Sequence, residues 1–144
     1  WKRSVPPPNM FAIDAPTREL CTVRRQRTNT PLAALVLMND PVYVEAARHL
    51  AQRALEAHAD DMQAAMADMF FRTTSRAPVE QETRILDEVF AEQLDIIREQ
   101  PDRARLLLAY GDSPRNESLD SSIHATLTMI ANMLLNMDEV ISRE

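Results

Sequence analysis

The 144-residue chain has one glycine, one cysteine and few aromatic residues, at 5%. A sandwich or barrel needs many turns and many β-branched or aromatic strand residues, so this scarcity argues for helices. One glycine rules out a P-loop and a GxGxxG dinucleotide fingerprint. Cys21 alone excludes an internal disulfide framework, a CxxC pair and a CxxCH haem site. No apolar run approaches the roughly 20 residues of a membrane-spanning helix, and no signal peptide is present. The chain starts at Trp1-Lys2-Arg3 and reads as a segment of a longer protein, with any targeting signal upstream.

What is present is apolar and unevenly charged. Hydrophobic residues make up 45% of the chain, and eight Met residues can fill irregular gaps between helices. The formal charge is −6. Residues 1–30 carry six basic side chains against two acidic ones, whereas residues 31–144 carry ten arginines against twenty acids. A basic arm can bind nucleic acid, but an acidic body of this size repels phosphate, so nucleic acid is not the expected partner. An arm lying across its own body or a neighbour suits the charges better.

Two units are expected: an extended basic arm over 1–30 packed on the body, and a helical domain over 31–144. Pro6, Pro7, Pro8 and Pro16 forbid a long helix in the arm and favour extended backbone. Trp1, Val5, Met10, Phe11 and Ile13 give the arm an apolar surface with which to dock.

In the body, Thr30-Pro31 is a helix start, with a capping hydroxyl before a proline at the first helical position. Asp40-Pro41 repeats it and launches a helix to about Ala57. That helix buries Tyr43, Ala47, Leu50 and Ala54 and turns Arg48, Gln52 and Glu56 to solvent. Asp60 or Asp61 caps the next helix, which carries Met62, Met66, Met69 and Phe70 and breaks at Thr73-Thr74-Ser75. A helix over Glu80–Gln100 points Leu86, Phe90, Leu94 and Ile97 inward. Pro101 starts a short helix ending near Gly111. After the polar stretch GDSPRNES, a last helix begins near Asp120 with Ile123, Leu127, Ile130, Leu134 and Met137 in one stripe. Asp138-Glu139 opens a final turn. The fold expected is all-α, a bundle of five or six helices preceded by an extended proline-rich arm.

The segments WKRSVPPPNM-FAIDAPTRELCTVRRQRTNTPLAALVLMNDPVYVEAAR, FRTTSRAPVEQE and LLNMDEVISRE resemble the DUF1553 (PSD1) domain. The resemblance covers nearly the whole chain and is densest over Trp1–Leu50. It implies the C-terminal domain of a large exported protein of the Planctomycetes type, with upstream domains as partners in the same chain, and a periplasmic or otherwise exported location. It implies no catalytic residues. It also implies Gly where this chain has Ser75, at the end of a helix.

No catalytic, metal or cofactor constellation stands out. His49 and His58 are nine apart, nearly opposite on a helix, and His124 is distant in sequence; all three read as surface or half-buried residues. Asp60-Asp61 beside Glu56 reads as a helix end followed by a cap. Asp112, Asn116, Glu117 and Asp120 have oxygen donors but not the EF-hand spacing. There is no GxSxG elbow. The most distinctive polar group is Arg18, Arg24, Arg25, Arg27 and Asn29. Its guanidinium forks can pair with acids such as Asp40 or Glu45, hold an upstream domain, or grip anionic saccharide. The expected function is a non-catalytic interaction module. The alternative is a share in a composite site that acts on polysaccharide.

Overall fold

The computed structural model describes residues 7–13, 15–16, 23, 30–59 and 61–141. Among these residues there are eight helices and no strands, so the fold is all-α. Six helices have eight or more residues: α2 (Pro31–Asn39), α3 (Pro41–Ala57), α4 (Met62–Thr74), α5 (Glu80–Glu99), α6 (Pro101–Leu108) and α7 (Ser121–Leu135). The short α1 (Pro8–Ala12) precedes them and α8 (Asp138–Ile141) follows. α1 is a detail that proline counting does not anticipate. Pro8 takes the first helical position, where its missing N–H costs nothing, and the helix lasts five residues.

The helix starts follow from local chemistry. Thr30 Oγ1 accepts from Ala33 N at 3.2 Å, and Asp40 Oδ1 accepts from Val42 N at 3.0 Å. Asp61 Oδ1 accepts from Ala64 N and Asp120 Oδ1 from Ile123 N, both at 2.9 Å. Each bond satisfies an amide that the first helical turn leaves without a partner. Asp61 is therefore the cap of α4, and Asp60 lies outside the described residues.

Ser75 ends α4 with φ 64°, in the left-handed region. The turn that a glycine would make freely is thus made by serine. Thr74 Oγ1 accepts from Arg76 N just beyond it, and Arg76 then fastens the exit. Its guanidinium grips Glu82 through two bonds of 2.7 and 2.8 Å and Glu139 through two of the same lengths. It lies 4.8 Å from the centre of the Phe70 ring. These bonds hold the Glu82 carboxyl down to about 2 and pull Glu139 below its ordinary value. The exit of α4, the start of α5 and α8 meet at this one arginine.

The core is a seam of small residues on α3 against large ones on its neighbours. Ala47, Ala51, Ala54 and Leu55 of α3 meet Met66, Met69 and Phe70 of α4, Leu86 of α5, and Leu127, Ile130, Ala131 and Leu134 of α7. The alanines let the helix backbones approach closely. A smaller cluster joins Ile97, Ala104 and Leu108 to Ala125 of α7. α7 is consequently buried on nearly every side. Its inward hydroxyls close on its own backbone: Thr126 on Ser122 O and Thr128 on His124 O, each at 2.8 Å.

Candidate functional site

Two surfaces stand apart from ordinary packing. The first is an apolar groove between α1, α2 and the start of α3. α2 is apolar along almost its whole length, yet Ala33 is its one buried residue. Leu35 is 58% exposed, and Leu32, Met38 and Val42 are exposed beside it. The groove has a volume of about 620 Å³, and Phe11, Leu32, Leu35 and Val36 form its walls.

Its polar end is rich in acceptors. Asn9 Nδ2 donates to Asp40 Oδ2 at 3.0 Å, while Asn9 Oδ1 is buried without a partner. Asn132 Nδ2 of α7 donates to Met38 O at 3.0 Å, so α2 is fixed to the core at its C-terminal end. This surface can take apolar side chains and, at its Asp40 end, a donor.

The second is a polar junction where the α6–α7 loop (residues 109–120) crosses α3. Here two expectations are corrected. Arg48, expected in solvent with Gln52 and Glu56, is 1% exposed; His124, expected on or near the surface, is 0% exposed. The loop covers Arg48, leaves Gln52 half-buried and Glu56 exposed as expected, and bonds to each position of the stripe. Glu45 accepts from the amides of Asp112 at 3.3 Å and Ser113 at 2.8 Å, and from the Ser113 hydroxyl. Arg48 Nη2 donates to Ser113 O at 2.7 Å. Gln52 Oε1 accepts from Asn116 N at 3.1 Å, and Glu56 Oε1 from Asn116 Nδ2 at 2.9 Å.

His124 Nε2 meets Arg48 O at 3.2 Å from the far side. The Ser113 bonds are the main cause that holds the Glu45 carboxyl down to about 2. Burial pushes the His124 imidazole below its ordinary value; the bond to Arg48 O and the Glu56 charge oppose this, and the Arg115 and Arg48 charges add to it.

The chain's single glycine makes this junction possible. Gly111 has φ +92°, and a Cβ there would stand 2.3 Å from Glu45 Cδ. Both the backbone conformation and the close approach of the carboxylate need a residue without a side chain.

Arg18, Arg24, Arg25, Arg27 and Asn29 lie outside the described residues, as do Trp1, Val5 and Cys21. Of the acids named with them, Asp40 caps α3 and holds Asn9, and Glu45 holds the loop. Asn116 and Asp120, read as possible cation donors, act as local hydrogen-bond acceptors for Ser118 and Ile123. Among the described residues no group of three His, Cys, Asp or Glu is placed to hold a metal ion. Among them, too, no helix is long and apolar enough to cross a membrane.

The loop's role was not legible in sequence, because a stripe of charge four residues apart suits a polar loop as well as it suits water. The sole glycine was the available signal.

A search of curated proteins finds no match, and neither does a search of solved structures. The family model for PSD1, described as "Protein of unknown function (DUF1553)", matches residues 1–90, more than half of the chain. That span runs from the N-terminal arm through α1 to α4 and into α5, and includes both the groove and the polar stripe of α3. The chain belongs to the PSD1 (DUF1553) family of proteins of unknown function.

Proposed function

We propose that this chain is a non-catalytic interaction module of a larger exported protein, and that it docks on upstream domains of that protein through the α1–α2 groove. One observation carries this reading. α2 is hydrophobic around its circumference, as a helix buried on all sides would be, yet it leaves Leu32, Leu35 and Met38 exposed. Contiguous apolar surface of this kind marks a contact that another surface completes.

The groove's acceptor-rich end favours a partner that brings a donor or a cation beside its apolar side chains. The basic segment with Arg24, Arg25 and Arg27 directly precedes α2 in sequence and would add charge pairing with the same neighbour. Export is the location that the family resemblance implies.

Calorimetry of the 144-residue chain against the remainder of its parent tests the reading. Association should bury on the order of 800 Å² per partner and weaken at least tenfold in Leu35→Asp. Arg25→Ala with Arg27→Ala measures the share of the basic segment. No association in trans, or association indifferent to Leu35→Asp, would overturn docking through the groove.

A further inference from the structure

His124 lies where α3, α7 and the α6–α7 loop meet, and is not among the residues that line the groove. A carbonyl oxygen can only accept, so the bond to Arg48 O requires that His124 Nε2 carry the proton and donate. The neutral ring then presents a bare lone pair at Nδ1, and Nδ1 is buried with no hydrogen-bond partner.

The surroundings are rich in donors and short of acceptors. Arg48 Nε and Arg115 Nη1 are also buried without partners. The charged groups that bear on the ring are Arg115 from the loop and Arg48 and Glu56 from α3. Glu45, one turn before Arg48 on α3, has its carboxylate committed to Asp112 and Ser113. Ile97 of α5 and Ala104 and Leu108 of α6, which pack at this end of α7, are apolar.

A second proton on the ring would therefore create a buried N–H with no acceptor, and a third positive charge beside two guanidiniums. The same loop that supplies Arg115 is held to α3 by a handful of polar bonds, whereas Leu119 and Ile123 anchor its far end in the core. The weakest way to relieve the charge is to lift the loop.

We propose that residues 111–118 form an acid-released clasp: proton uptake at His124 Nδ1 detaches them from α3, frees Glu45, Gln52 and Glu56 from their loop bonds and uncovers Arg48. The sign follows from linkage. His124 binds its proton less readily in the closed state than in the open one, so the closed state is fully favoured above the ordinary imidazole value of 6.5 and loses ground as pH falls below it. Glu45, held at about 2, stays ionised throughout that window and does not open the clasp itself.

The amides of Ser113 and Asn116, which donate to Glu45 and Gln52, report the clasp directly. Their hydrogen exchange in the full chain, corrected for intrinsic rates, should show opening about tenfold more populated at pH 5.5 than at pH 7.5. The amides of Met69 and Phe70 in α4 should keep their protection. Constant Ser113 protection across the window would overturn the clasp, and parallel loss in α4 would replace it with general acid unfolding.

His124→Gln retains an N–H for Arg48 O and cannot titrate, so its Ser113 protection should be independent of pH over this range. Should that variant fail to fold, ¹⁵N titration of the wild-type ring decides. A ring that becomes doubly protonated while Ser113 remains protected would sink the proposal.

Discussion

α2 and α7 are both apolar helices, and they end in opposite environments. α7 has eight buried residues, including His124, Thr126 and Thr128, while α2 has one. Polarity does not explain the difference, since α2 is the more uniformly apolar of the two. Neighbours do: α7 is enclosed by α3, α4, α5 and α6, whereas among the described residues α2 rests mainly on α1 and α3, with one hydrogen bond from α7 at its C-terminal end. Burial is thus decided by which elements surround a helix, and an apolar helix left open marks where a surface is unfinished.

The sharpest way to break this comparison is to truncate one leucine on each helix. Leu127→Ala removes a fully buried side chain from the seam and should cost about 2–5 kcal/mol in urea denaturation. Gly111→Ala comes next, at about 1–3 kcal/mol, because it strains a left-handed residue and pushes Glu45 off the loop. Ser75→Gly has the opposite sign: relief of the left-handed serine should stabilise by about 1 kcal/mol, seen as a higher denaturation midpoint with an unchanged slope. Leu35→Ala should be nearly silent in the isolated chain, within about 0.5 kcal/mol. If Leu35→Ala costs as much as Leu127→Ala, α2 is not an open surface and the contrast collapses.

The helix boundaries were legible because capping is local. Thr30-Pro31, Asp40-Pro41, Asp61 and Asp120 each act on amides two or three residues away, so the sequence carries the whole instruction. The stripes of α4, α5 and α7 were legible for the same reason, through their period.

The polar junction was not. Arg48 is buried by Ser113, 65 positions later, and His124 reaches Arg48 across 76. Nothing in the periodicity of α3 distinguishes a loop that supplies matched donors and acceptors from water that supplies the same. The left-handed turn at Ser75 was hidden in another way. The resemblance implied glycine there, and the chain makes the turn with serine, followed closely by the Arg76 bonds to Glu82 and Glu139.

The seam between α3 and α7 also governs the order of folding. The two helices that share the largest contact begin 80 residues apart, with α4, α5 and α6 between them. α3 and α4 can meet early, since a short connection joins them, but the alanine face of α3 gains its main partner only after nearly all of the helical chain exists. Loop closure over that distance must precede the contacts that reward it, so the transition state should wait on α7. During synthesis a nascent chain ending before residue 121 would carry the alanine face of α3 only partly covered by α4, without Leu127, Ile130, Ala131 and Leu134 of α7.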